Sequence, residues 1–235
     1  MDLSPKRDLQ RQRTVRYFID AAKHIATSEG INRITIRNVA ELAGYNSATL
    51  YNYFENLDQL IAISMVDSIT EYLHRLTAIT ALDLDSLTTF LLAWRCYAEC
   101  SFANPEIYAY IFDSNHSDYV LSQIDAYFSV YAPESGLYDN VSPSVAAGQN
   151  LKNRDALLIS PCIDDGYFKE SEKTYIMEFC YVVHKGISKR IVSNHYTDAS
   201  QAVSMFLNYV TEFLNNHLQG DSEIINPQTI LAMNY

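Results

Sequence analysis

Apolar positions along this chain recur at intervals of three and four, which is the α-helical period. The first such run spans about Asp8 to Glu29, where Val15, Phe18, Ile19, Ala22, Ile25 and Ala26 form one stripe and Gly30 supplies a stop. Thr35 can cap a second, short helix containing Val39, Ala40, Leu42 and Ala43, after which Gly44 punctuates again. Asn46 or Ser47 can cap a third, running to about Tyr53. Asn56 opens a fourth, with Gln59 three residues on in the manner of a capping box. Leu57, Leu60, Ile61, Met65, Ile69, Tyr72, Leu73 and Leu76 keep that fourth helix in phase.

Beyond residue 80 the pattern stays helical. Leu87, Phe90, Leu91, Trp94, Tyr97 and Ala98 follow Ser86, a candidate N-cap, and Asn104-Pro105 marks a break and a restart through Ile107, Tyr108, Ile111 and Phe112. A further helix is predicted from His116 to Tyr131. Pro133 to Gly166 is rich in Pro and Gly and weakly periodic, so it reads mainly as a long loop with a short helix around Val145 to Leu158. Two long helices follow, about Lys169 to Asn194 and Asp198 to Leu218. The first is apolar nearly all round between Tyr175 and Ile187, which requires burial on more than one side. Ile224, Ile225, Ile230 and Leu231 leave the stretch 219–235 free to pack back or to lie loose.

Composition supports an all-α fold. The 235 residues include only 7 Gly and 6 Pro, lean for a sheet protein with many tight turns, and 48% are hydrophobic against 19% charged, as in a globular core. No apolar run reaches membrane-span length, and Met1 to Arg13 is polar without a signal segment, so a cytoplasmic protein is the expectation. The glycines never fall two apart, which excludes a Gly-x-Gly-x-x-Gly loop, and there is neither a Gly-x-Ser-x-Gly turn nor a His-Glu-x-x-His helix. No arrangement of residues points to catalysis, and neither a cofactor nor a metal is expected.

Two short helices around a Gly-containing turn suggest a helix-turn-helix. Asn46, Ser47, Thr49, Tyr51, Asn52 and Tyr53 bring hydroxyls and amides that can bond base edges or phosphates, Ala48 permits close approach, and Leu50 and Phe54 are spaced to anchor the helix. The alternative is a polar face of an ordinary bundle. The formal net charge of −11 argues against nucleic acid until it is divided. Residues 1–45 carry eight bases (Lys6, Arg7, Arg11, Arg13, Arg16, Lys23, Arg33 and Arg37) against five acids, a net of +3, which leaves −14 for the remainder. Lys6 to Arg16 has the makings of a basic arm for the DNA backbone.

Residues 14 to 61 resemble the DNA-binding domain of the tetracycline-repressor (TetR) family. The likeness rests on the run from Gly44 to Phe54, with Ala21-Ala22, Gly30, Ile34-Thr35-Ile36-Arg37 and Val39-Ala40. It implies an N-terminal three-helix reader in residues 1–56, a larger helical-bundle domain for effector binding and dimerisation in 57–218, and a tail at 219–235. Carried over by position, Thr35 would hold a phosphate and Arg37 would reach the major groove. Ser47 and Ala48 would face bases, Thr49 a base or phosphate, and Tyr51 and Tyr53 the backbone; Asn46 lies in the same polar run, and Asn52 stands where the family varies. The implied partner is a palindromic double-stranded DNA operator, read by a homodimer whose last two long helices form the interface. Two readers about one DNA turn apart (~34 Å) match two half-sites.

The same resemblance implies a small-molecule effector. Aromatics are dense between Phe90 and Tyr131, and Trp94, Tyr97, Tyr108, Phe112, Tyr127, Phe128, Phe179 and His184 are its candidate contacts, against the alternative of an ordinary core. Ring faces and net acidity suit an aromatic or cationic compound. Cys96 and Cys100, at i and i+4, offer a metal or oxidant pair, or simply buried thiols; His116 with Asp113 and Asp118 offers a cation site, or a helix cap. The expected protein is therefore a transcription regulator of repressor type and no enzyme. The competing readings are a DNA-tethered scaffold for a protein partner, without an effector, and a helical-bundle enzyme whose front segment is structural. One departure from the family bears on affinity: Leu57 stands where a Lys commonly grips a phosphate, between Glu55 and Asp58. Binding is therefore expected to be weak, or weakly salt-dependent, unless the N-terminal arm compensates. Affinity measured against salt concentration, with and without residues 1–12, tests this; a steep slope that survives the deletion contradicts it.

Overall fold

The computed structural model describes residues 5–124, 127, 154–195, 198–220 and 225–234. Among these the secondary structure is entirely helical, and no helix is long and apolar enough to cross a membrane. The helices are α1 (Pro5–Glu29), α2 (Ile36–Ala43), α3 (Ser47–Leu50), α4 (Leu57–Ser68), α5 (Thr70–Thr80), α6 (Ser86–Ala103), α7 (Pro105–Asp113), α8 (Ser117–Ser122), α9 (Arg154–Asp164), α10 (Lys173–Val192), α11 (Ala199–Asn215) and α12 (Pro227–Ala232), with 3-10 turns at Ile31–Arg33 and Glu170–Glu172. They pack as two compact units.

Among the described residues the first unit comprises 5–71 with 106–124 and 127. Its centre is α4, where every residue from Leu60 to Asp67 is buried. Against it lie α1, through the stripe predicted from sequence, and α8; α2 packs on α1, and α3 on α2. A helix buried all round must satisfy its polar groups internally. Ser64 does so by donating to the Leu60 carbonyl at 2.7 Å. Asp67 accepts from Arg16 and Lys23 of α1 and from the Tyr127 hydroxyl.

The fourth helix does not run unbroken from Asn56 to Leu76 as its apolar phase suggests. It is interrupted at Ile69 (φ −103°, ψ 4°), where the Ile69 N–H bonds the Val66 carbonyl and the Thr70 hydroxyl donates to the Asp67 carbonyl at 2.7 Å. The apolar positions on both sides of the interruption are buried all the same, Ile69, Tyr72, Leu73 and Leu76 included.

Among the described residues the second unit comprises 72–105, 154–195, 198–220 and 225–234. Here α6 is central, covered by α9, α10, α11 and α12. Asp85 rather than Ser86 caps α6, because its carboxylate accepts the Thr88 N–H at 2.8 Å and leaves Ser86 as the first helical residue. The described end of the segment predicted mainly as a loop to Gly166 is helix. Arg154–Asp164 forms α9 despite Pro161, and Gly166, at φ +83°, ends it with the Tyr167 N–H on the Cys162 carbonyl. That is a Schellman-type termination. The expected helix around 145–158 lies mostly outside the described residues, as do Phe128 and Tyr131. The helix expected from His116 to Tyr131 is described as α8, which gives way to a turn at Gln123.

The last two long helices occur close to their predicted bounds, with Asp198 capping α11. Residues 225–234 pack back instead of lying loose. Ile230 is buried, Asn215 exchanges two hydrogen bonds with the Ile225 backbone (2.8 and 3.0 Å), and Arg95 donates to the carbonyls of Ile230 (2.8 Å) and Met233 (2.7 Å). Glu99 braces Arg95 and pairs also with Arg75. Arg95→Met is expected to lower the unfolding free energy by roughly 2–3 kcal/mol, the usual cost of losing hydrogen bonds to a charged group. Urea denaturation measures it; an unchanged midpoint would mean that apolar packing alone docks the tail.

Candidate nucleic-acid interface

The segment from Thr35 to Phe54 is held by local hydrogen bonds above a buried apolar base. Thr35 is extended and accepts the Asn38 N–H at 3.1 Å, starting α2. Gly44 ends it at φ +78°, and the Tyr45 N–H reaches the Ala40 carbonyl at 2.8 Å. Asn46, of the two residues able to cap the third helix, does so: its side-chain oxygen accepts the Thr49 N–H (2.9 Å) and hydroxyl (3.0 Å). Below the surface Leu50 and Phe54 are buried, and the ring of Phe18 meets Tyr45, Tyr53 and Phe54 at centroid distances of 5.3, 6.0 and 6.2 Å.

The recognition segment is shorter as an α-helix than predicted. It ends at Leu50, and Tyr51 to Tyr53 continue as a turn, with Asn52 bonded to Thr49 and Tyr53 to Leu50 in the three-residue register. Burial of Phe54 and the cap at Asn56, whose side chain accepts the Gln59 N–H at 2.8 Å, turn the chain too soon for a further α-helical turn. The predicted capping box is altered: the Gln59 side chain receives the Glu55 N–H instead of that of Asn56.

Of the candidate DNA contacts, Thr35, Arg37, Asn46, Ser47, Ala48, Tyr51 and Asn52 are exposed, Tyr51 to 56%, while Thr49 and Tyr53 are half-buried. Asn46 and Thr49 already engage one another, so fewer of their polar atoms face outward than the sequence suggests. The cations divide in two. Arg16 and Lys23 pair with buried Asp67, whereas Arg11, Arg13, Arg33 and Arg37 are exposed. The expected arm is the first turns of α1, and the Arg11 guanidinium lies over the Tyr53 ring, 5.3 Å from its centroid. Asp67 was not singled out in the sequence, although a carboxylate inside an apolar helical run is a recognisable sign that cations must converge on it.

A second concave feature of this unit has no counterpart in the sequence analysis. A cavity of about 690 Å³ lies between the Gly30 turn and α7, lined by residues that include Glu29, Arg33, Glu106, Tyr110 and Asp113. Burial and Asp58 raise the Tyr110 pKa above its ordinary value.

The effector candidates fall into separate groups. In the second unit His184 is buried, bonded to the Ser101 hydroxyl at 2.7 Å, and sandwiched between Tyr97 (4.7 Å) and Phe102 (4.9 Å), with Trp94 and Phe206 around it. The Trp94 indole N–H is buried with no acceptor among the described residues. Phe179 stacks on Phe213 at 3.7 Å, apart from that cluster. Tyr108 and Phe112 pack on each other, and Tyr127 reaches Asp67, all in the first unit. Phe128 is outside the described residues. Cys96 and Cys100 are thiols and form no disulfide; the hydrogen bond to Cys100, followed by burial, pushes the Cys96 pKa well up, away from reactivity. Among the described residues no group of His, Cys, Asp or Glu converges as a metal site.

Residues 18–62 match the bacterial regulatory proteins of the tetR family. That segment is a TetR-type helix-turn-helix domain. Solved structures of the same fold include RolR in complex with resorcinol (16% identity, 96% of each chain, TM-score 0.52). Another is the fatty acid degradation regulator FadR from Bacillus halodurans (12% identity, 91% of this chain and 97% of that one, TM-score 0.55). A tetR family transcription regulator from Shewanella sp. PV-4 is a third (16% identity, 88% and 99%, TM-score 0.53). Among curated proteins none matches this sequence. At these identities the structural likeness is one of fold; the family assignment rests on the helix-turn-helix. Within that TetR-type segment Gly44 carries a checkable constraint. A Cβ there would touch nothing within 4 Å, so any penalty comes from the backbone angle alone. Gly44→Ala is expected to cost about 1–2 kcal/mol and Gly44→Asn distinctly less, by thermal denaturation. Equal losses would contradict a conformational cause.

Proposed function

We propose that this protein is a cytoplasmic repressor of the TetR family that binds a palindromic double-stranded operator as a homodimer and is released by a small-molecule effector. The observation that carries the reading is the exposed polar row from Thr35 to Asn52, fixed by capping bonds over the Leu50–Phe54–Phe18 base. In this reading Thr35, Tyr51 and Tyr53 meet the backbone. Arg37, Ser47, Ala48 and Asn52 meet base edges, and Asn46 and Thr49 position the helix while remaining near a phosphate. Residues 1–56 serve as reader and 57–218 as the effector-binding and dimerisation domain.

The incomplete burial of α10 supports the dimer. Only Ile176, Cys180, His184 and Ile187 are buried, while Tyr175, Tyr181, Val182 and Val192 on α10, with Tyr209 on α11, remain exposed. Apolar surface of that extent on two adjacent helices fits a second copy of the same pair.

The unfilled Trp94 donor supports an effector that offers an acceptor between ring faces. A small aromatic molecule bearing hydroxyl or carboxylate oxygens fits better than the cation suggested by the net acidity, and resorcinol bound to RolR is a molecule of that kind. Such a ligand would release DNA to the extent that it favours the DNA-incompetent arrangement.

Selection of bound duplexes from a random pool, followed by affinity measurement, tests the reading. Arg37→Ala or Tyr51→Ala is expected to abolish operator binding while the dimer stays folded; wild-type affinity in either would remove that residue's role. Trp94 is the chain's one tryptophan, so its emission reports directly on the proposed pocket. Resorcinol and simple phenols are expected to shift it and to weaken operator binding. A screen in which only amines do so would replace the aromatic-acceptor assignment.

A further inference from the structure

The cations of α1 are not equivalent. Arg16 and Lys23 are drawn inward to Asp67, and Arg16 also approaches Asp20 at 3.6 Å. Arg11 and Arg13 are exposed and have no carboxylate partner among the described residues. Of these two, Arg11 is held by an aromatic ring: its guanidinium carbon lies 5.3 Å from the Tyr53 centroid. Tyr53 is itself fixed, half-buried, with its ring 6.0 Å from Phe18 and its N–H on the Leu50 carbonyl at 3.0 Å. A charge on α1 is thereby positioned over Tyr53, which follows exposed Tyr51 and Asn52 in the sequence and comes shortly before Leu57, where that segment has no cation.

We propose that Arg11 is a phosphate-binding residue of the DNA interface and that Tyr53 holds it in place, the two forming one backbone clamp. The inference rests on the assignment of Thr35–Tyr53 as the DNA-facing surface. A guanidinium lying over a ring keeps its N–H donors at its edge, where they can fork onto phosphate oxygens. Stacking also fixes a side chain that would otherwise lose much rotamer freedom on binding. The arrangement places the missing positive charge on a different helix from the one that bears Leu57. Arg16 and Lys23, occupied by Asp67, do not contribute in this way.

The test uses the full-length protein and the duplex that the wild type selects from a random pool, with affinity measured across salt concentrations. Arg11→Gln is expected to reduce the slope of log K against log salt by about 0.9, one phosphate contact, and to weaken binding several-fold at low salt. Arg11→Lys keeps the charge but not the planar fork, so the slope stays near wild type while affinity falls. Tyr53→Leu is expected to weaken binding, and the double variant to lose less than the sum of the two separate losses, because the clamp can be lost only once while the backbone contact of Tyr53 is its own. Arg11 is exposed and makes no ion pair, so thermal melting should be unchanged in Arg11→Gln and a loss of slope cannot come from unfolding. A wild-type slope in Arg11→Gln overturns the inference while leaving the DNA reading intact. Strict additivity of the two substitutions overturns the pairing with Tyr53. A wild-type protein that selects no duplex at all overturns both the inference and the reading beneath it.

Discussion

The buried carboxylate of Asp67 sets the terms for the first unit. Removing an ionised carboxylate from water costs several kcal/mol unless cations and hydrogen-bond donors replace the lost hydration. Asp67 lies at the end of a helical stretch buried on all sides, and it obtains that replacement from Arg16 and Lys23, two turns apart on α1, and from the Tyr127 hydroxyl. The pairing fixes how α1 lies along α4. It also coincides with the interruption at Ile69, where the carbonyl of Asp67 is taken by the Thr70 hydroxyl. A substitution that removed the carboxylate would leave two cations facing an apolar helix.

That requirement changes the electrostatics of the reader. The first 45 residues net +3, which suggests a uniformly basic front. Two of those cations are occupied inside the fold, and among the side chains described the outward charge rests on Arg11, Arg13, Arg33 and Arg37. The polar row of the recognition segment is thinned in a similar way, since Asn46 and Thr49 bond each other in capping α3. Both effects have one cause. A small helical domain must satisfy its own buried and terminal polar groups before any remain for a partner.

In the second unit the dense aromatics serve chiefly as core. His184 stacks between Tyr97 and Phe102 and bonds Ser101, so its polarity is satisfied without a ligand. The Trp94 N–H is the exception in that cluster. A buried donor without an acceptor costs on the order of 1–3 kcal/mol, a cost that a ligand oxygen would remove under the proposed function. On the outer side of α10 the exposed tyrosines and valines explain why that helix is apolar beyond what its own chain buries.

By itself the sequence determined whatever depends on neighbours within a turn or two. The stripe of α1, the cap at Thr35, the choice of Asn46 or Ser47 for the next cap, the stop at Gly44 and the restart at Pro105 were all legible, because each is a bond or a backbone angle between residues a few positions apart. The family likeness was legible for the same reason, since the helix-turn-helix is a local motif. Only the tertiary structure decided the break at Ile69, the continuation of α9 past Pro161, the docking of the tail by Arg95, and which cations remain outward. Arg95 reaches carbonyls 135 and 138 residues away, and Asp67 draws partners from 44 to 60 residues away. Periodicity carries no record of such pairings. They are set by the cost of leaving a buried charge or carbonyl unsatisfied, which is felt only once the chain has folded around it.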